Sequence, residues 1–347
     1  MQLKFGKQSS SEYPTMEQSH NRRTFLKASA LAGLGFTLSP AYAGNPSGTK
    51  RVGIIGLDTS HSVAFTKVLN GPEADAAYKG YRVVAAYPQG SQDIESSTKR
   101  IPGYIEEVKK HGVRIVDSIA DLLKQVDVVL LETNDGRRHL EQALEVFKAG
   151  KRVFIDKPIA ASLADTLAIF DASKKYKVPT FSASSLRYIK GIENLDKSTV
   201  VGADTFSPAT IEPTHPDLFW YGVHGVETLY TVMGTGCKSV RRTHTDQTDV
   251  VVGTWKDGRI GTFRGTRSGK HEYGGTVYTQ KGNLTLGPYG GYEPLLKEII
   301  QFFETGMPPV SAEETIELFA FMEAADESKR QGGAEVTLES VLKKARQ

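Results

Sequence analysis

The stretch from Lys50 to His61 places the strongest constraint on how this chain can fold. Residues 52–55 form a short apolar run of the kind that a parallel sheet buries on both faces. Gly56 ends the run where the backbone must turn sharply, and Thr59 or Ser60 is placed to cap a following helix. The stretch therefore predicts a strand, a tight turn and a helix start, whose free N–H groups attract phosphate.

The same stretch carries an incomplete dinucleotide-binding pattern. Of the fingerprint Gly-x-Gly-x-x-Gly only Gly56 is kept, and Asp58 and His61 stand at the second and third glycine positions. Asp58 is unfavourable beside a diphosphate unless it caps the helix or bonds a hydroxyl group. The pattern alone leaves two interpretations open, a nucleotide-binding turn or an ordinary strand-to-helix turn.

Strand and helix patterns alternate from residue 50 to about 182. Further short apolar runs predict strands at residues 81–87, 127–131, 152–155 and 179–182. Such alternation predicts an α/β fold with a doubly wound parallel sheet. Ligands bind at the carboxyl ends of such strands, so Gly56, residues 132–133 and residues 156–158 should converge on one crevice.

The second half of the chain shows a different pattern. Strand-like runs separated by turns lie at residues 249–255, 260–266, 275–278 and 284–286. Two helical segments follow, at residues 293–304 and 312–330. They predict a C-terminal α+β domain with an antiparallel sheet, one face of which is free to pack a helix layer or another subunit. We therefore predict domains at residues 44–182 and 183–347 and a homo-oligomer formed through the C-terminal sheet.

The N-terminus has the order of an export signal. Arg22-Arg23 precedes a short apolar run at residues 28–38, and Ala41-Tyr42-Ala43 resembles a cleavage site. This order predicts a twin-arginine signal peptide over residues 1–43 and a periplasmic or otherwise exported protein. A Sec signal and a chance basic pair are the alternatives.

Charge and cysteine content exclude several classes of partner. The net charge of +3 belongs to the signal, because removing residues 1–43 takes away five basic and two acidic residues and leaves 38 of each. A balanced chain indicates neither a nucleic acid nor an anionic membrane as partner. Cys237 is the single cysteine, which excludes an internal disulfide and a multi-cysteine metal site.

Two segments resemble a known family. Residues 132–139, with His139 opening a helix that ends in Ala-Gly-Lys, lead through a strand at 152–155 to Asp156-Lys157-Pro158. This pattern and its spacing resemble the Gfo/Idh/MocA family of sugar-type oxidoreductases, and residues 221–224 resemble the Gly-x-His segment of that family. The resemblance extends over essentially all of the chain after the signal. It implies a Rossmann domain, NAD or NADP as cofactor, and a sugar, glycoside or polyol as substrate.

The resemblance also implies the catalytic residues. Lys157 would polarise the oxygen that becomes a carbonyl, with Asp156 orienting it, and His224 would take the hydroxyl proton. Trp220 replaces the acidic residue that the family keeps four positions before this histidine. Glu227, one helical turn later, is the candidate to orient the imidazole instead.

Cofactor and substrate contacts follow from the same placement. The predicted cofactor-binding residues are Gly56, Asp58, Thr59, Ser60, His61, Thr133, Asn134, His139 and Asp156. The predicted substrate-binding residues are Arg187, Tyr188, His215, Trp220 and Tyr221. No acidic residue ends the second strand, and Ser91 or Arg100 is a candidate to accept a 2′-phosphate, so NAD and NADP both remain open.

No metal site is predicted. His215, Asp217, His224 and Glu227 form a candidate ligand set, but it lacks cysteine partners and the H-E-x-x-H pattern. Two functions remain: an exported sugar oxidoreductase that uses Lys157 and His224, or a sugar-binding protein that keeps the fold without catalysis. For the enzyme we expect a tightly bound cofactor and a redox-neutral reaction, because an exported enzyme has no free nicotinamide pool.

Overall fold

A computed structural model describes residues 49–347 apart from residue 73, and the side chains of residues 75 and 76 are likewise not described. The predicted signal peptide, residues 1–43, lies outside the described residues. No helix in the described part of the chain is both long and apolar enough to cross a membrane.

The first sheet has six parallel strands in the order β3-β2-β1-β4-β5-β6. These strands are β1 (Lys50–Ile55), β2 (Tyr81–Tyr87), β3 (Arg114–Ile115), β4 (Val128–Leu131), β5 (Val153–Ile155) and β6 (Thr180–Ser182). The order reverses on either side of β1, so the sheet is doubly wound as predicted. The four predicted strands that follow β1 are confirmed, and the two-residue β3 was not predicted.

Six helices connect or flank these strands. They are α1 (Ser60–Leu69), α2 (Ala74–Ala77), α3 (Glu95–Lys109), α4 (Ile119–Leu123), α5 (Gly136–Lys148) and α6 (Leu163–Tyr176). Side-chain caps start three of them. Ser118 accepts from the Asp121 amide, Asp135 from the Arg137 amide and Ser162, as predicted, from the Asp165 amide. These caps set where each chain segment leaves the carboxyl edge of the sheet.

The second sheet has seven strands in the order β12-β11-β7-β10-β9-β8-β13. They are β7 (Val200–Pro208), β8 (Cys237–Thr245), β9 (Thr248–Trp255), β10 (Ile260–Thr266), β11 (Gly274–Thr279), β12 (Gly282–Leu286) and β13 (Val336–Thr337). The prediction of an antiparallel sheet is wrong at one ladder, because β7 and β10 pair in parallel. Turn signals report only neighbouring strands, and these two are brought together by a long crossover.

Four helices belong to this half of the chain, α7 (Val223–Met233), α8 (Glu293–Thr305), α9 (Ala312–Arg330) and α10 (Leu338–Ala345). Helix α7 is buried along its whole length and packs against β7 and β10. The other face of the sheet exposes Val201, Phe206, Ile260 and Tyr278. An oligomer formed through this face, and the domain boundary at residues 182 and 183, stay predictions.

Candidate functional site

A cavity of about 360 Å³ lies at the carboxyl edge of the first sheet, where the chain after β1, β4 and β5 meets the start of α7. Both halves of the chain contribute to its wall. The residues that line it include Thr59, Ser60, His61, Arg100, Asn134, Lys157, Trp220, Tyr221, His224, Tyr273, Tyr289 and Tyr292. The predicted convergence of the strand ends on one crevice is confirmed.

The turn after β1 requires glycine at position 56. Gly56 has φ +89°, and a Cβ there would lie 2.5 Å from the backbone of Thr133. Thr59 occupies the N-cap position of α1, but the predicted cap bond is wrong, since its hydroxyl is buried without a hydrogen-bond partner. No acidic residue stands in the first turn of α1. The Thr59 hydroxyl and the first amides of α1 can therefore donate to a ligand beside Gly56. Such donors fit the diphosphate of a dinucleotide.

Asp58 does not disturb this fit, because its carboxylate points away from the cavity. It accepts from the backbone amides of Ser91 at 3.1 Å and Asn134 at 3.0 Å and is fully buried. Burial raises the pKa of Asp58, and the two amide bonds partly offset that rise. Asp58 therefore does not cap α1, but it does bond a hydroxyl group, that of Ser97, and it joins the loops after β1, β2 and β4. Its predicted cofactor contact stays a prediction.

The two predicted catalytic side chains line the same cavity. Lys157 is the second residue after β5 and is 9% exposed, and His224 lies in the first turn of α7 and is 5% exposed. The Nδ1 atom of His224 lies 2.6 Å from the Ser184 hydroxyl oxygen. Burial, followed by the charge of Lys157, holds the pKa of His224 well below its ordinary value. The imidazole is therefore neutral at pH 7, the form that accepts a proton.

Glu227 does not orient His224 directly, in contrast to the prediction. Its carboxylate accepts from the Ser184 amide at 2.8 Å and from Arg187 Nε at 2.9 Å. Ser184 in turn contacts the His224 ring, so Glu227 acts on the imidazole only through the position of Ser184. Sequence spacing along α7 could not show that the segment after β6 lies between the two side chains.

Three of the predicted substrate-binding residues do not line the cavity. Arg187 is buried between Glu227 and Glu314, 2.7 Å from the latter, and Tyr188 packs against an apolar core. His215 accepts from the Gly136 amide through Nε2 at 3.2 Å and contacts the Thr214 hydroxyl through Nδ1. Trp220 and Tyr221 do line the cavity, as predicted.

His139 is also placed differently from its predicted cofactor contact. It is fully buried, with Nε2 at 2.6 Å from the Thr133 carbonyl oxygen and Nδ1 at 3.2 Å from that of Ile159. Both ring nitrogens therefore join the segments that follow β4 and β5. The candidate metal set is separated too, because Asp217 pairs with Arg242 and Lys329 while Glu227 pairs with Arg187.

Three tyrosines of the cavity wall were not predicted from the sequence. Tyr273 directly precedes β11, and Tyr289 and Tyr292 follow β12. Their hydroxyls contact Tyr221, Ser185 and Ser60 at 2.8, 3.0 and 3.2 Å, respectively. The only signal for them is the aromatic content of residues 273–292. Ser91, proposed for a 2′-phosphate, is buried and donates to Asp93, whereas Arg100 does line the cavity.

Asp156 contacts His61 and forms no ion pair with its predicted partner, Lys157, in the described part of the chain. Its Oδ1 lies 3.0 Å from His61 Nδ1, and Glu132 Oε2 lies 3.8 Å from the same nitrogen. Burial, followed by the neighbouring Asp156, raises the pKa of Glu132 well above its ordinary value. Burial also disfavours ionised Asp156, but His61 and then Lys157 outweigh it and lower its pKa. His61 stands at the third glycine position of the fingerprint, so this cluster occupies the place where the fingerprint has a residue without a side chain.

Residues 50–184 match the model of the Gfo/Idh/MocA oxidoreductases, described as an oxidoreductase family with an NAD-binding Rossmann fold. This segment belongs to the Gfo/Idh/MocA family. An inositol 2-dehydrogenase of Saccharopolyspora erythraea is 32% identical to this chain over 129 residues, which is 36% of this chain and 32% of that relative. The chain thus spans about a third of the length of the curated relatives it matches.

Solved structures extend the comparison of fold beyond the Gfo/Idh/MocA segment. A probable dehydrogenase from Thermotoga maritima has a TM-score of 0.68 at 20% identity and covers 84% of this chain and 99% of its own. A scyllo-inositol dehydrogenase from Lactobacillus casei, solved with NAD(H) and scyllo-inositol, has the same TM-score at 14% identity, covering 84% and 100%. The second sheet therefore belongs to the shared fold.

Proposed function

We propose that this protein is an exported, NAD(P)-dependent oxidoreductase that acts on a sugar, glycoside or polyol. The observation that carries the proposal is one cavity lined by both Lys157 and His224, at the strand ends where the family's Rossmann domain binds its cofactor. The inositol dehydrogenases among its relatives support a polyhydroxylated substrate. The tyrosines that line the cavity, together with Trp220, supply apolar faces and hydroxyl groups that suit such a ring.

The cofactor, when bound, supplies the hydride acceptor. Gly56, Thr59 and the first amides of α1 would hold its diphosphate, and Asn134 and Lys157 line the part of the cavity that remains for the nicotinamide half. His224 is neutral and takes the proton of the substrate hydroxyl, while the Lys157 ammonium stabilises the negative charge on that oxygen. As base, His224 needs a free Nε2, so Nδ1–H donates to Ser184.

Export shapes how such an enzyme would use its cofactor. A protein carried through the twin-arginine route is folded before export and can bring a cofactor bound in the cytoplasm. No nicotinamide pool replaces that cofactor afterwards, so the hydride must return to the same substrate or to a second one. The proposed reaction is therefore redox-neutral, such as epimerisation, elimination followed by reduction, or transfer between two sugars.

Cofactor release and isotope retention test this proposal. The purified protein should release a nicotinamide dinucleotide on denaturation and turn over without added NAD(P). A deuterium on the oxidised carbon should stay in the product or move to a second substrate. A protein that is empty as purified, and oxidises its substrate only with stoichiometric added NAD(P), contradicts the redox-neutral mode.

Lys157→Ala tests the assignment of the lysine. We expect at least about a hundredfold loss of turnover with the fold retained, because the variant loses the cation at the reacting oxygen. Lys151→Ala is the matched control, since Lys151 stands at the opposite end of β5 and donates to the Val126 carbonyl oxygen. Sugar binding without released cofactor or turnover would favour the alternative, a non-catalytic sugar-binding protein.

A further inference from the structure

Five buried polar atoms that make no well-aligned hydrogen bond lie together beside the cavity, although His61 Nδ1 and Asp156 Oδ1 are 3.0 Å apart. They are His61 Nδ1 and both carboxylate oxygens of Glu132 and of Asp156. Eleven such atoms occur among the described residues, so almost half belong to these three side chains. Unsatisfied buried polar groups are costly and rare, so their concentration at one point indicates a ligand.

The fold builds this cluster from three separate elements. Glu132 follows β4, Asp156 follows β5, and His61 is the second residue of α1. Both carboxylates are fully buried and the His61 side chain is 6% exposed. One ligand atom from each residue lies within 4.8 Å of the others. Two atoms that each lie about 2.0–2.2 Å from one metal ion are at most about 4.4 Å apart. The distances from His61 Nδ1 to Asp156 Oδ1 and to Glu132 Oε2, 3.0 and 3.8 Å, fall within that limit.

The two buried carboxylates also lack a permanent cation beside them. No ammonium or guanidinium in the described part of the chain lies within 4.0 Å of Glu132 or Asp156, and the His61 imidazole is the basic group nearest to both. A divalent ion between the three side chains would supply positive charge to both carboxylates and use Nδ1 as a ligand.

We propose that His61, Glu132 and Asp156 bind a divalent metal ion of the Zn²⁺ or Mn²⁺ type. One imidazole nitrogen with two carboxylates is a donor set that these ions accept, whereas Mg²⁺ and Ca²⁺ prefer oxygen alone. His61 also lines the cavity, which gives the ion a path of entry. The bound ion joins the start of α1 to the ends of β4 and β5, next to Lys157.

Metal content and affinity test this site without substrate or nicotinamide, so the result is independent of the proposed reaction. The full chain, purified without chelators, should hold about one equivalent of metal, or bind one when the chelated protein is titrated with Zn²⁺ or Mn²⁺. Asp156→Asn, Glu132→Gln and His61→Gln should each weaken this binding at least about a hundredfold. Chelation should lower the urea midpoint of the wild-type chain.

Two control variants carry the same chemical changes elsewhere. Asp257→Asn and His244→Gln lie at exposed positions of the second sheet and should bind metal like the wild type. Metal content below about a tenth of an equivalent after titration would overturn the proposal. Unchanged binding by the three cluster variants would overturn it as well, because the ion would then lie elsewhere.

A measurement on the wild-type chain covers the case in which the cluster variants fail to fold. Electron–nuclear coupling in the Mn²⁺-loaded protein should show one directly bound imidazole nitrogen. A spectrum of Mn²⁺ with water and carboxylate ligands only would exclude His61 and contradict the site.

Discussion

Replacing Gly56 by alanine tests the close approach on which the whole turn depends. The new Cβ would lie 2.5 Å from both the N and the Cα of Thr133, well inside van der Waals contact, at a backbone φ of +89°. The ends of β1 and β4 would have to separate by about 1 Å to admit the methyl group. We therefore expect Gly56→Ala to destabilise the fold strongly.

The cost has two parts that can be estimated separately. An L-residue in the left-handed region costs about 1–2 kcal/mol, and forcing a methyl group into a packed position costs about 1–3 kcal/mol. The free energy of unfolding should therefore fall by about 2–5 kcal/mol, a large share of the ~5–15 kcal/mol available to a typical protein.

Gly258→Ala separates the two parts. Gly258 has φ +88°, and a Cβ there meets no atom within 4 Å, so this variant carries the backbone strain without the collision. Urea unfolding of both variants should show Gly56→Ala to be less stable by about 1–3 kcal/mol. Equal losses in the two variants would refute the close approach between Gly56 and Thr133.

Three further predictions concern the imidazole, acid stability and export. Ser184→Ala should lower kcat by about 10–100-fold and change the pH profile, because His224 loses its Nδ1 partner. The control is Ser162→Ala: both serines accept a backbone amide, from Leu186 and Asp165, so the control should cost stability without changing kcat. An unchanged profile in Ser184→Ala would contradict the role of His224. Burial lowers the pKa of His215 to about 4, so its folded form binds fewer protons than the unfolded chain, and stability should be lost as the pH falls from about 6.5 towards 4, at about 1.4 kcal/mol per pH unit. His215→Gln should remove that part of the slope in urea unfolding measured against pH, and identical slopes would show that His215 does not titrate in this window. Replacing Arg22 and Arg23 by lysine should leave the precursor in the cytoplasm in a fractionation assay, whereas Lys4→Arg with Lys7→Arg should not, and normal export of the Arg22 and Arg23 variant would exclude the twin-arginine route.

Local pattern was enough to predict the first sheet and the crevice at its edge. Apolar runs, glycine at the end of β1 and the cap at Ser162 are short-range signals, and the carboxyl ends of parallel strands meet by geometry alone. The same geometry predicts that Lys157 and Gly56 lie at one edge of the first sheet, because each comes just after a parallel strand. His224 was placed by resemblance, and the structure brings it to the same cavity.

The partner of each buried polar group was decided only by the tertiary structure. Asp58, Asp156 and Glu227 were each expected to act on a group nearby in the sequence. Instead, Asp58 accepts from the amides of two loops, and Asp156 contacts His61. Glu227 accepts from the Ser184 amide and from Arg187. A buried carboxylate must find donors wherever the packing of separate elements brings them, and those elements are far apart in sequence. The cluster beneath Lys157 and the parallel pairing of β7 with β10 arise in this way, from contacts that sequence spacing does not record.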